Sequence, residues 1–301
     1  MSLLKKIRHF STAALTSLAL LTAPQQATAA SGIERAVEEW ADGRGAEKLA
    51  SFATTVGINI ILCSAFRGIK TKKESKDFWK GFTTGIWHGA VAGALEGVGM
   101  EIASYNEKKP GMGALGRIIF NAGVSASYNS MAGRSILTSY EIDIGPMILS
   151  MEFKKGIKGL NFFIDPSPAG EIIAEIARGH KFEPERLLYD LTFAFSFDGT
   201  VRSPFLHGYS VAGYTAANIP TFSKDYPGAI SHENIHTLQY ASFRSMDAIY
   251  PFSDYRKVHF ALGAPITLLA TISHFVPIYL AYSDAYFYNP IEWQAFALQR
   301  E

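Results

Sequence analysis

Five consecutive residues, His232-Glu233-Asn234-Ile235-His236, combine side chains that can bind and use a metal ion. On a helix, residues four apart lie on one face about one turn from each other, so both imidazoles can reach one metal. Glu233 lies beside that face, where its carboxylate can accept a proton from water that the metal activates. The pattern predicts a zinc site with His232 and His236 as ligands and Glu233 as the catalytic base.

A second segment supplies the ligand that two histidines alone would lack. A helix with two His four residues apart can also face solvent and bind nothing, and the chain contains 8 His. Asn289-Pro290, however, is a helix cap and first-turn pair that places Glu292 in the first turn of a helix. Catalytic zinc sites use three protein ligands plus water, and two His with one Glu is an established set. Glu292 is therefore predicted as the third ligand, with Zn²⁺ as the cofactor.

Together the two segments resemble the gluzincin class of zinc metallopeptidases, whose members carry a His-Glu-x-x-His helix and a downstream Glu ligand on a second helix. The resemblance covers residues 229–243 and 289–298. It implies that the two histidines and Glu292 bind zinc, that Glu233 is the general base, and that the substrate is a peptide or protein. The rest of the chain is similar to exported bacterial proteins that share a glycine-rich N-terminal half, which implies no substrate.

The group that would stabilise the oxyanion has no unambiguous counterpart in this chain. In gluzincins this group is a Tyr or a His. The candidates at the C-terminal end are His259, His274, Tyr282 and Tyr288. Each of these residue types is also common as a packed aromatic or a core histidine.

A non-catalytic protein is the alternative function. In this alternative, the metal would hold the C-terminal helices together, and the glycine-rich helices would contact a membrane or a partner. Glu233 separates the two hypotheses, because a structural zinc site does not need that carboxylate whereas catalysis does. A Ser/His/Asp hydrolase is disfavoured, since the chain has no Gly-x-Ser-x-Gly sequence.

The first thirty residues have the layout of a secretory signal peptide. Three basic residues precede an apolar run from Ala13 to Thr22, and Ala27-Thr28-Ala29 forms a small-residue cleavage site. Cleavage is expected after Ala29. The mature protein is therefore expected to be exported to the periplasm or the extracellular space.

Charge and cysteine content exclude several classes of partner and site. The 28 Lys plus Arg nearly cancel the 27 Asp plus Glu. Composition therefore predicts no field strong enough to attract nucleic acid or an anionic surface. Cys63 is the only cysteine, which rules out an internal disulfide and a cysteine-cluster metal site. Its apolar neighbours predict that it is a buried small hydrophobe.

The pattern along the chain predicts an α+β protein with 48% apolar residues, ample for a core. Glycine-rich N-terminal helices, a central antiparallel β meander and C-terminal zincin-like helices that carry the metal site are expected. The regions are a signal peptide at 1–29, helical glycine-rich residues 30–134, antiparallel β residues 135–228 and helical metal-site residues 229–301.

The N-terminal helices are predicted at Phe52–Phe66 and Phe78–Tyr105, joined by a charged connector from Lys70 to Lys80. The second helix carries six glycines, most of them four residues apart. This spacing puts them on one face, where another backbone can approach closely. They are Gly81, Gly85, Gly89, Gly93, Gly97 and Gly99.

The central region has strand-like composition, with a helix predicted at Ala169–Arg178. The strand near Ala217–Phe222 is expected to be an edge that could pair with an extended peptide. Phe260–Tyr282 has no charged residue and fits either a membrane span or a soluble helix pair broken by prolines. The predicted strands are Ile136–Ile144, Met147–Phe153, Leu160–Ile164, Leu187–Phe197 and Tyr209–Tyr214.

Overall fold

The computed structural model describes residues 45–105, 109–202, 210–226 and 228–244, together with Ala295 and Leu298. The chain forms two units, Met1–Leu49 and Ala50–Glu301. Of the first unit, the structure describes only the residues at the start of one helix. The predicted signal peptide, Glu292, the charge-free stretch 260–282 and the oxyanion candidates lie outside the described residues. The mixture of helices and sheets confirms the α+β class, while the region boundaries stay predictions.

Three long helices form the N-terminal half: α1 at Gly45–Ser75, α2 at Phe78–Ala103 and α3 at Met112–Met131. The charged connector is shorter than predicted, because α1 continues to Ser75. Exposed lysines on a helix face do not end the helix, and Lys70 pairs with Glu74 one turn later at 3.6 Å. Helix α2 then begins at a true cap, where the Asp77 carboxylate accepts the Lys80 backbone N–H at 3.0 Å.

The glycine face of α2 packs directly on the backbone of α1. A Cβ atom at Gly89 would lie 2.6 Å from the Ile60 Cα atom, and one at Gly93 would lie 2.6 Å from the Val56 Cα atom. Real Cβ atoms do not approach that closely, so only glycine fits at these positions. The predicted close backbone approach is confirmed, with Cys63 fully buried beside it as expected.

Helix α3 packs against a different part of α2 by the same means. A Cβ at Gly99 would lie 2.5 Å from the Phe120 backbone nitrogen, and one at Gly123 would lie 2.6 Å from the Ala92 carbonyl oxygen. These pairs show that the two helices run antiparallel. Three closely spaced helices therefore form one layer of the molecule.

Glu96 on α2 is buried inside this layer and makes the fold sensitive to pH. Its carboxyl accepts hydrogen bonds from Asn59 Nδ2 and Ser242 Oγ, each at 3.0 Å. Burial raises the pKa of Glu96 from 4.5 to about 7. The folded protein therefore favours the neutral form. Glu96 therefore contributes its full stabilisation below its pKa in the unfolded state. This contribution is lost as pH rises through its pKa in the folded state.

We expect the free energy of unfolding to fall by on the order of 3 kcal/mol as pH rises from about 4.5 to above 7, through Glu96 alone. Denaturant unfolding of the wild type and of Glu96→Gln across this range measures the effect, because glutamine does not titrate. The difference between the two profiles isolates Glu96 from other titrating groups. Parallel profiles would contradict the prediction.

The first sheet is an antiparallel meander of β1 at Ser139–Ile144, β2 at Met147–Glu152 and β3 at Leu160–Ile164. These three predicted strands are confirmed. A 3-10 turn at Phe153–Gly159 joins β2 to β3. Polar contacts fix β1 on α3, since the Glu141 backbone N–H donates to Ser125 Oγ at 2.8 Å.

The second sheet follows α4 at Pro166–Ala177, which confirms the predicted helix there. The strand order is β4-β5-β9-β8, and β5 runs parallel to β9. A purely antiparallel central region is therefore wrong for this sheet. The remaining elements are β4 at Lys181–Phe182, α5 at Glu185–Tyr189, β5 at Phe195–Phe197, β6 at Val201–Arg202, β7 at Ser210–Val211, β8 at Gly213–Ala216 and β9 at Ile219–Ser223.

The predicted strand at Leu187–Phe197 is wrong over its first half. Helix α5 occupies its start, and only the last three residues form β5. A tertiary contact overrides the strand-like composition of this segment, because the Asp190 carbonyl at the end of α5 accepts a hydrogen bond from Arg117 Nε at 2.9 Å.

Helix α6 at Ala229–Arg244 packs between the second sheet and the helical layer. Its apolar residues Ile235, Leu238 and Ala241 are fully buried in a cluster with Phe120 of α3. Ala295 and Leu298 belong to the same cluster.

One helix in the described part of the chain, spanning Lys48–Ser75 within α1, is long and apolar enough to cross a membrane by length and composition.

Candidate metal centre

The predicted motif helix is present as α6. The helix follows Gly228, whose φ of 84° suits glycine, and the His232 backbone N–H donates to the Gly228 carbonyl at 3.0 Å. His232 is 7% exposed and His236 is half-buried, so the pair does not lie on a fully exposed helix face. Burial among packed elements removes the simplest non-functional interpretation of the motif.

The two imidazoles direct the same ring atom to one point. His232 Nε2 and His236 Nε2 lie 3.1 Å apart, with the ring planes at 80° to each other. Two nitrogens bound to one tetrahedral zinc at the usual bond lengths lie about 3.3 Å apart. The observed separation therefore fits a shared metal ion with little side-chain movement.

Gln239 fixes the second histidine in the state that a metal requires. His236 Nδ1 lies 2.8 Å from Gln239 Oε1, which can only accept a hydrogen bond. With Oε1 as the acceptor, the ring proton lies on Nδ1, and the Nε2 lone pair is left for a metal. Gln239 was not identified from the sequence, although its position one turn after His236 could have suggested it.

Glu233 is held by the neighbouring strand β8. Its Oε2 atom accepts a hydrogen bond from Thr215 Oγ1 at 2.8 Å, and the side chain is 6% exposed. The same hydroxyl lies 2.9 Å from the Glu233 carbonyl oxygen. A Cβ at Gly213 would lie 2.8 Å from Glu233 Cγ, so glycine makes room for the carboxylate. Period-two alternation along β8 places Gly213 and Thr215 on the face toward α6.

Within the described residues, the edges of this sheet are β8 and β4, and the segment Ala217–Phe222 is not an edge. Strand β9 lies between β5 and β8, so the predicted edge is internal. The physical reason is the tight turn at Ala217–Asn218, where both residues have positive φ and reverse the chain so that β8 covers β9.

A buried cation lies beneath α6. Arg117 is fully buried, and its Nη2 donates to Asn234 Oδ1 at 3.1 Å and to Thr237 Oγ1. Burial lowers the pKa of Arg117 to about 10, so it stays charged near neutral pH. These hydrogen bonds fix the rotation of α6 about its axis and hence the direction of the two histidines. Nothing in its glycine-rich sequence context indicated this role.

Glu175 on α4 supports β8 from the other side. Its carboxylate accepts hydrogen bonds from the Tyr214 hydroxyl at 2.8 Å and from Thr221 Oγ1 at 2.9 Å. Burial alone would raise the pKa of Glu175, but hydrogen bonds from His180 and these hydroxyls lower it. The ionised carboxylate thus ties β8 to β9 and keeps Thr215 opposite Glu233.

The third predicted ligand, Glu292, lies outside the described residues. In the part of the chain that the structure describes, no three His, Cys, Asp or Glu side chains form a group that could hold a metal. Ala295, three residues after Glu292, packs in the cluster that contains Ile235 of α6. The described residues thus bring together two of the three predicted ligands, and the predicted base lies on the same helix with its carboxylate against β8.

Comparison of the chain with protein-family models, curated proteins and solved structures finds no match. The resemblance to gluzincins stays a prediction that rests on the residues of the two motif segments.

Proposed function

We propose that the protein is an exported zinc-dependent hydrolase of the peptidase type, with His232, His236 and Glu292 as ligands and Glu233 as general base. The observation that carries the proposal is the 3.1 Å separation of the two Nε2 atoms on a buried helix. A zinc ion bound there would supply Lewis-acid chemistry, polarising a substrate carbonyl and lowering the pKa of water.

Glu233 then performs the proton transfers. Its carboxylate accepts the proton of the attacking water and passes it to the leaving amine. The hydrogen bond from Thr215 holds the carboxylate in position without neutralising it, since a hydroxyl donates and carries no charge. Burial beneath β8 limits competition from bulk water for the same carboxylate.

The edge strand β8 favours a peptide substrate. An extended peptide can add to an exposed sheet edge through main-chain hydrogen bonds. A peptide paired with β8 would run beside Gly213 and Thr215, the residues that contact Glu233. Its scissile bond would then lie near the base, which is what a peptidase needs.

Chain geometry supports Glu292 as the third ligand. Three residues of extended chain reach at most about 11 Å, and Ala295 is buried against the core side of α6. Glu292 precedes this core residue by three positions in the sequence, which supports its assignment as a ligand. A zincin-like arrangement of the C-terminal helices is accordingly part of this proposal.

Zinc stoichiometry tests the site. The purified protein is expected to bind one zinc ion per chain, and His232→Ala or Glu292→Ala is expected to lose it. Gln239→Ala should weaken zinc binding by roughly 10–100-fold, the usual effect of removing a group that orients a ligand histidine. Metal analysis and competition with a chromogenic chelator measure both effects.

His88→Gln is the matched control for the zinc experiment. His88 contacts Ser130 at 3.2 Å on the helical layer and has no role in the proposed site, so zinc content should not change. A wild-type protein that stays metal-free in excess zinc would remove the basis of the proposal.

A further inference from the structure

Three segments distant in sequence meet at one end of the helical layer. They are the α1–α2 connection at residues 70–80, the loop after α3 and the 3-10 turn at Phe153–Gly159. A Cβ at Gly133 would lie 2.8 Å from Lys70 Cγ, which places the loop beside the end of α1. The Phe153 backbone N–H donates to the Thr138 carbonyl at 3.2 Å, which brings the 3-10 turn to the same loop.

This end concentrates positive charge that the whole chain does not show. Residues 70–80, 134 and 152–158 contain nine Lys and Arg against three Asp and Glu, whereas the chain has a net charge of +1. Two of the three carboxylates pair with lysines of the same segments, and Asp77 caps α2. Among the described residues, no carboxylate lies within ion-pair distance of Lys72, Lys73, Lys76 or Lys80. We refer to this surface as the basic end.

Large apolar side chains are also exposed in these three segments. Trp79 is 69% exposed, Leu137 is 72% exposed and Ile157 is 92% exposed. Trp79 belongs to an aromatic group in which Phe78 packs over Gly68 of α1, and the Phe78 and Trp79 ring centroids are 5.3 Å apart. Phe78 thereby anchors the group to the helix while the indole faces outward. Among the described residues, these three side chains are therefore apolar surface that a contacting apolar phase could bury.

We propose that the basic end binds the surface of an anionic phospholipid bilayer. Lysines near such a surface are attracted to lipid phosphates, and exposed Trp, Leu and Ile side chains can insert about 5–10 Å into the boundary of the acyl chains. Nucleic acid offers the same charge but a poorer match, because Leu137 and Ile157 are aliphatic and cannot stack on bases as aromatic rings do. Clustered lysines together with exposed aliphatic side chains therefore favour a lipid surface over nucleic acid.

Vesicle co-sedimentation of the purified protein tests this inference. The protein should bind vesicles of equimolar phosphatidylcholine and phosphatidylglycerol, should bind pure phosphatidylcholine vesicles far more weakly, and should dissociate as salt rises. Lys72→Glu with Lys73→Glu should weaken binding roughly 30-fold or more. Trp79→Ser with Ile157→Ser should weaken it roughly 100-fold, because two large apolar side chains no longer insert.

Two matched variants outside the basic end control for general effects of charge and hydrophobicity. Lys109→Glu with Lys181→Glu removes the same charge, and Leu188→Ser removes a side chain that is 76% exposed on α5. Both should bind vesicles as the wild type does, and circular dichroism checks that every variant is folded. Equal binding to neutral and anionic vesicles would overturn the inference. So would binding to a soluble polyanion such as heparin without any binding to vesicles.

Discussion

Glu233→Gln is expected to lower peptide hydrolysis by a factor of about 10²–10⁴ while zinc remains bound, because general acid–base catalysis typically contributes that much. Glutamine keeps the size of the side chain, and its amide oxygen can still accept the hydrogen bond from Thr215 Oγ1. It cannot accept the proton of water. The proposed site therefore keeps its ligands and loses only the base.

The measurement combines hydrolysis of a peptide library with zinc content of the same samples. Glu185→Gln on the exposed side of α5 makes the same chemical change away from the site and should leave both values unchanged. If Glu233→Gln cleaves the peptides of the wild type at the wild-type rate, the mechanism is wrong and the metal is structural. Gly213→Ala offers a second approach, since its Cβ would displace the Glu233 carboxylate from outside the motif.

Local spacing predicted the motif helix because the information lies within one turn. His232 and His236 share a face of any helix, and their Nε2 atoms do approach each other. Thr215 and Arg117 were not predictable in this way. They reach the motif from 18 and more than 100 residues away along the chain, and a single sequence carries no signal for such pairs.

For the first sheet, the sequence did not indicate which face would be buried. Pairing places Ile142, Leu149 and Phe162 in one row across the sheet, so this face is apolar. Strand-like composition correctly indicated these three strands. It could not indicate that Ser139 and Ser150 on the opposite face would be buried. Along the apolar row, exposure rises from the buried Ile142 to Phe162, which is 57% exposed. Hydrogen bonds between α3 and β1 decided the orientation, and these depend on the tertiary fold.

The net charge likewise does not show how the fold distributes the charged residues. A net charge of +1 predicted no attraction to an anionic surface, which holds only if the charges are evenly mixed. The fold instead brings lysines from residues 70–80 and 152–158 to one end. Screening limits charge interactions to about 8–10 Å at ordinary salt, so the local excess decides what that surface binds.

Gly89→Ala is expected to lower the free energy of unfolding by about 1–3 kcal/mol or more, because the added methyl group meets backbone and cannot be accommodated by a side-chain rotation. Its Cβ would lie 2.6 Å from the Ile60 Cα atom, so α1 and α2 would have to separate. Separation would also disturb the hydrogen bond between Asn59 and Glu96. Denaturant unfolding followed by circular dichroism measures the change.

Gly57→Ala is the matched substitution, made on α1 one turn from the same helix contact. A Cβ at Gly57 has no atom within 4 Å, so only the backbone preference changes. Alanine is better than glycine inside a helix by about 1 kcal/mol, and this variant should therefore be more stable than the wild type. The same chemical change is thus expected to act with opposite sign at two nearby positions. If both variants shift stability in the same direction, the close approach of α1 and α2 is not what the glycines of α2 provide.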